Sequence, residues 1–232
     1  QVGNKTDTFD ITPEIPSCPI VLKSSNSCLL QPKVLALGKY CGLVWFCSAK
    51  AIVNIKIRLM EAGDYPAFFS YLNAQLEENG KLGSPLFQPV PREIVKLPAE
   101  KEAAFVAGLS KTIGQAGWRR AWLAVDDESE IILGHVDLRA HQDVNTSHRA
   151  LLGMGVALPW RKQGIGRALL EFSCQWARQT SLLEWIDIEV LCDNKPAFQL
   201  YEAAGFEKLC EIQDMYRIDG RPEGLIRMAL KI

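Results

Sequence analysis

The sequence predicts an α/β fold in which a mixed sheet carries helices on both faces. Three observations predict it. Short stretches of alternating apolar and polar residues recur from Ile52 onward, and amphipathic helical stretches are interleaved with them. Between them, a turn built on Gly164 and Gly166 passes an apolar strand directly into a helix.

Taken in order, Ile55, Ile57 and Leu59 alternate with Lys56 and Arg58 as in a half-buried strand. Asp64 then stands at an N-cap position before Tyr65 and Pro66, so a helix should follow, with Phe68, Phe69, Leu72 and Leu76 on one stripe until Asn79-Gly80 stops it. A Pro- and Gly-rich loop leads to a second helix carrying Phe105, Val106, Leu109 and Ile113. Residues 118–125 and 131–140 read as a hairpin, with Val136, Leu138 and Ala140 on one face and His135, Asp137 and Arg139 on the other. Residues 150–158 are almost wholly apolar, which predicts a central strand covered on both faces. A helix over 164–178 presents Ile165, Ala168, Leu169, Phe172 and Trp176 as a stripe. A strand over 185–192 precedes Asn194, a cap for a short helix with Ala197, Leu200, Tyr201 and Ala204 on one face and Gly205 at its end. Two strands, 206–218 and 224–232, close the chain around Asp219-Gly220.

The bulk properties exclude several function classes. With 26 Lys+Arg against 27 Asp+Glu the net charge is −1, so no electrostatic footprint for nucleic acid or an anionic membrane is present, and a small-molecule partner is expected. Seven cysteines without a CxxC or Cys/His cluster fit neither a disulfide framework nor a metal site, so free thiols, a reducing compartment and a cytoplasmic location are expected. The longest apolar stretch, 41–53, is interrupted by Lys50 and is too short for a spanning helix. Residues 1–50 show no sustained periodicity and read as an N-terminal extension of unassigned role, leaving 51–232 as the working domain.

The segment RKQGIG at 161–166 carries the chemistry. A glycine turn opening a helix offers unpaired backbone N–H groups and the positive end of the helix dipole, a site for phosphate or pyrophosphate. Arg161, Lys162 and Arg167 add positive charge at its mouth. Glycines before a helix also serve tight packing, and the segment alone does not decide between these uses. Neither GxxxxGK[ST] nor a GxGxxG unit with a downstream acid is present, which argues against triphosphate hydrolysis and hydride transfer.

At larger scale, LLGMGVALPWRKQGIGRALLEFSCQWA followed by DIEVLCDNKPAFQLYEAAGFEK resembles the cofactor-binding core of the GNAT superfamily of N-acetyltransferases, over about residues 52–232. The [RQ]xxGx[GA] signature falls on Arg161, Gly164 and Gly166. A second signature falls on Asn194, Ala197, Leu200-Tyr201 and Gly205-Phe206. The closing strands and SHRA at 147–150 further resemble a bacterial subgroup acting on small amines or amino acids. The resemblance implies a mostly antiparallel GNAT-like sheet with one splayed parallel pair, here 150–158 and 185–192. It also implies acetyl-CoA as co-substrate, a primary amine of a small molecule, amino acid or peptide as acceptor, and no metal. Dimerisation through exposed strand edges is compatible with such a fold.

Residue by residue, the resemblance implies that Val156, Ala157 and Leu158 offer backbone groups to the pantetheine arm, as an added strand would be held. Gln163, Gly164, Ile165, Gly166 and Arg167 would hold the pyrophosphate, Arg161 and Lys162 would be cofactor-binding beside them, and Asn194 would contact the cofactor while capping its helix. Tyr201, which in isolation would read as a core residue, becomes the proton donor: a phenol of pKa about 10 is protonated at neutral pH and can give its proton to a departing thiolate. The general base stays open. Leu151 and Leu152 stand where many relatives carry a carboxylate, leaving His135, His148, Asp187, Glu189 or a water chain. Cys192 has no neighbouring His in sequence to activate it as a nucleophile. Direct attack in a ternary complex is the expected chemistry; a non-catalytic acyl-CoA-binding sensor or interaction module is the second reading, because the strand carboxylate is missing.

Overall fold

The computed structural model of the chain describes residues 18–21 and 54–232, apart from 82 and 181. The apolar stretch 41–53 and Cys28, Cys41 and Cys47 lie outside the described residues. The elements run β1 (Cys18–Val21), β2 (Asn54–Leu59), α1 (Tyr65–Glu78), α2 (Ala99–Leu109), β3 (Arg119–Asp126), β4 (Ile132–Arg139), β5 (Arg149–Val156), α3 (Ile165–Arg178), β6 (Trp185–Leu191), α4 (Lys195–Ala203), β7 (Glu207–Ile218) and β8 (Arg221–Lys231). From β2 onward this is the order that the sequence periodicity predicts.

Seven of the strands form a mixed, mostly antiparallel sheet, and β1 adds an eighth at its edge, in the order β1-β2-β3-β4-β5-β6-β8-β7. Among the described strands only β5 and β6 pair in parallel, with α3 making the crossover between them. Strand alternation then sorts the core into two layers. Trp122, Ala124, Val136, Leu138, Ala150 and Leu152 meet the stripe of α3, where Trp122 packs edge-on against Phe172 and Trp176. Ala121, Leu123 and Val125 turn the other way, into a smaller cluster with Phe68 of α1 and Phe105 of α2.

Several local features differ from the sequence reading. Asp64 precedes α1 as expected, but its carboxylate does not cap the helix amides. It accepts from both terminal nitrogens of Arg58 at 2.7 and 2.8 Å and from Glu61 N–H at 2.8 Å, and the Arg58 guanidinium holds it below the usual carboxylate range. Strand β5 ends at Val156 rather than 158, because Pro159 directs Leu158–Trp160 into a single 3-10 turn. It is also not covered on both faces: Ala150 and Leu152 are buried on the α3 side, whereas Leu151, Gly153 and Gly155 on the α1 side are only half-buried. His135 and Asp137, on the polar face of β4, are buried beneath α1 and α2 rather than solvated. Asp219 and Gly220, both at positive φ, close the β7–β8 hairpin as predicted.

Candidate active site

Strands β5 and β6 are paired over three rungs only: Arg149 with Trp185, Ala150 with Ile186, and Leu151 with Asp187. Beyond that rung β5 stays bonded to β4 as far as Val156, and β6 stays bonded to β8 as far as Leu191. The two strands therefore part, leaving a slot whose walls are one edge of each.

At the far end of β5 the chain turns through the RKQGIG segment into α3. Gly164 is the N-cap at φ +88°, a left-handed conformation that side chains rarely adopt, and it brings no side chain to cap the first helical turn. The amides of Ile165, Gly166 and Arg167 thus open the helix without side-chain competition. Lys162 is also left-handed, at φ +59°, and exposed, and the loop is closed by Gln163 Nε2 donating to Pro159 O at 2.9 Å. Ile165 contributes main chain only, since its side chain lies in the core. Arg167 is exposed and pairs with Glu171 one turn on. A Cβ on Gly166 would meet Leu200, Met154 and Val156 at 3.4 to 3.6 Å, ordinary contact distance, so this glycine matters less than Gly164.

Arg161 is turned inward. Its Nε donates to Val156 O at 2.9 Å, and its terminal nitrogens donate to Ser84 Oγ and to Glu78 Oε2, each at 2.8 Å. The guanidinium is thus a brace between the loop, the end of β5 and the C-terminal end of α1. Ala157 is likewise engaged: its N–H donates to Leu133 O and its carbonyl accepts from Trp160 N–H, both at 2.9 Å.

On the other wall, Asn194 caps α4 by accepting from Ala197 N–H at 3.3 Å. The Tyr201 ring is buried against Phe206. Burial alone drives its phenol above the usual range, so it is fully protonated at neutral pH. Burial also raises the Cys192 thiol, which argues against a thiolate nucleophile. Between α3 and α4 an open groove of about 460 Å³ is lined by residues including Arg167, Leu170, Arg178, Leu200 and Ala203.

The four residues left open as bases occupy different settings. His135 is buried and its pKa falls to about 4, chiefly through desolvation, so it is neutral. The Tyr71 hydroxyl gives its one proton to Gly155 O at 2.9 Å and lies 3.1 Å from His135 Nδ1 while Gln75 donates to it at 2.7 Å; the His135 contact is then a donation from Nδ1–H. Asp187 accepts from Arg149 Nε at 2.8 Å and pairs with His141 Nε2 at 2.8 Å. Glu189 pairs with Arg227 at the exposed surface. The His148 carbonyl accepts from Glu184 and Trp185 N–H.

One group was not singled out from the sequence. Asp137 is opposite Gly153 across the β4/β5 pair, and a Cβ on Gly153 would lie 2.5 Å from its Oδ2 and 2.7 Å from a terminal nitrogen of Arg139. The acid and a guanidinium therefore lean over the strand that borders the slot. The alternation of glycine at 153 and 155 was the available signal: a Cβ on Gly155 would in turn collide with Gln75.

Comparison with known proteins accords with this geometry. Residues 94–206, which contain both signatures, match the model of the acetyltransferase (GNAT) family. The L-amino acid N-acetyltransferase AaaT of Escherichia coli (strain K12) is 29% identical over 76 residues, a match covering 33% of this chain and 47% of that protein; the chain thus matches about half the length of this curated relative. In fold, the chain is similar to a GNAT-family acetyltransferase from Streptococcus pneumoniae, with TM-score 0.63, 21% identity, and coverage of 77% of this chain and 99% of that one. It is also similar to the ribosomal-protein-alanine N-acetyltransferase from Brucella melitensis, with TM-score 0.60, 20% identity, and coverage of 76% and 99%. With its split parallel pair, its glycine-opened helix and these matches, the chain shares the fold of GNAT acetyltransferases and resembles that family over residues 94–206.

Proposed function

We propose that the protein moves the acetyl group of acetyl-CoA to a primary amine of a small molecule, amino acid or peptide, with both substrates held together at the β5/β6 fork. The observation that carries this reading is that one strand, β5, supplies both an unpaired slot edge and, at its end, an uncapped helix start. When bound, acetyl-CoA supplies an activated thioester. The residues present suit such a molecule: an extended arm fits beside a strand edge, and a pyrophosphate fits against amides that no side chain covers.

The slot-facing edge of β5 through Val156, with Leu158 beyond it, holds the pantetheine arm; the amide of Ala157 is already used within the sheet. The main chain of Gly164, Ile165, Gly166 and Arg167 holds the pyrophosphate, with Lys162 adding charge and Gln163 and Arg161 fixing the loop. The groove between α3 and α4 gives the nucleotide end a place to lie. Tyr201 holds a proton at its hydroxyl for the departing sulfur. Because burial makes it a weaker acid than a free thiol of pKa about 8.5, transfer is favoured only where the thiolate is desolvated in the same way.

Calorimetric titration of acetyl-CoA into wild type and Gly164→Val tests the reading. The variant should keep its fold and lose at least about tenfold in affinity, since it both strains the backbone and blocks the cradle. Native affinity in a folded Gly164→Val protein would sink the pyrophosphate assignment.

A further inference from the structure

A row of side chains crosses the sheet at the base of the fork, on the face under α1 and α2. Strand register sets Arg119 beside Arg139, Arg139 beside Leu151, and Leu151 beside Asp187, the last rung before the slot opens. One residue pair further along, Asp137 faces Gly153. The Asp137 Oδ1 oxygen lies 3.1 Å from both Arg119 and Arg139, so two cations share one carboxylate and the cluster carries a net positive charge. Asp187 does not cancel it, because its own carboxylate is already paired with Arg149 and His141.

The charge is concentrated and directed. The Arg119 guanidinium is stacked 4.1 Å from the Phe105 ring centroid, which fixes its plane. Arg139 has 31% of its side chain exposed and, among the described residues, uses only one terminal nitrogen, on Asp137 and over Gly153. Its remaining donors form a planar fork beside the strand that walls the slot, a geometry that matches a carboxylate bidentately. Gly153 leaves room for the acid and the guanidinium above it.

We propose that Arg139, backed by Arg119, binds a carboxylate of the acceptor, so that the acceptor class is an amino acid bearing a free carboxylate near its reactive amine. This rests on the acetyl-transfer reading and narrows its acceptor. Seated on Arg139, such a molecule reaches the slot across a single strand spacing of about 4.8 Å. Arg119 and Asp137 position the guanidinium; they do not touch the acceptor.

The test is calorimetric titration of the CoA-loaded full chain with L-amino acids and with their carboxamides, run beside acetyl-transfer rates for the same panel. The free carboxylates should bind about tenfold to a hundredfold more tightly than the carboxamides, the effect expected of a charge-assisted pair. Arg139→Gln should abolish the preference while leaving acetyl-CoA affinity unchanged, and Arg139→Lys should restore part of it. Equal affinity for acids and carboxamides in wild type, or an undiminished preference in a folded Arg139→Gln protein, overturns the proposal. Preferential binding of acids without acetylation of any of them would overturn the transfer reading instead and leave the anion site standing.

Discussion

Leu151 and Asp187 form the last rung between β5 and β6, and the parting of the strands beyond them creates the slot. Asp187 is tied at this point to Arg149 from β5 and to His141 before it, so the apex of the fork is clamped by charge as well as by backbone. Removing that clamp while leaving the shape, as in Asp187→Asn, should destabilise the protein by about 1.5–3 kcal/mol, the range for hydrogen bonds to charged groups. Thermal unfolding checks this; an unchanged midpoint would mean the rung is held by the backbone alone.

Tyr201→Phe removes only the hydroxyl from a buried ring. Acetyl-CoA affinity should stay within about twofold, and turnover should fall about 10²-fold or more, the usual scale for a lost general acid. Rapid-mixing measurement of the chemical step separates this from slowed product release. Unchanged turnover would return Tyr201 to a packing role.

The two glycines of the turn should behave differently. Gly164→Ala places a side chain at φ +88° and should cost about 1–2 kcal/mol along with acetyl-CoA affinity. Gly166→Ala meets only ordinary van der Waals contacts and should change either quantity by little. Parallel calorimetry and denaturant unfolding read both.

His135 links stability to pH. Its folded pKa of about 4 lies below the unfolded value of about 6.5, so between these values the unfolded chain binds the extra proton. Stability should therefore fall as pH drops through about 6.5 and the loss should be complete near 4, worth about 3 kcal/mol from this group. His135→Gln should flatten that part of the profile. A wild-type profile with no slope assignable to residue 135 would contradict its burial in the neutral form.

Much of this architecture is legible in the sequence because it is written locally. The stripe Ile165, Ala168, Leu169, Phe172 and Trp176 and the alternation Ile55, Ile57, Leu59 each declare an element without reference to the rest of the chain. The glycine turn and the Asn194 cap are local too. The strand at Cys18–Val21 is not, since four residues carry no usable period and exist as a strand only through pairing with β2. Arg161 could be recognised as a motif position, but its inward turn depends on Glu78 and Ser84, far away in sequence. The same holds for Asp137: only the cross-strand register places it over Gly153 between two arginines. Functional groups assembled across strands are invisible to periodicity.

In the proposed function, the fork and the glycine-opened helix hold acetyl-CoA for transfer to an amine. Initial-rate measurement of free CoA thiol from acetyl-CoA, across amino acids, small amines and peptides with both substrates varied, tests it most directly. The expected result is acceptor-dependent release, stoichiometric with acetylated amine and showing the intersecting pattern of a ternary complex. Tight acetyl-CoA binding with no acceptor-dependent release across the panel would contradict it.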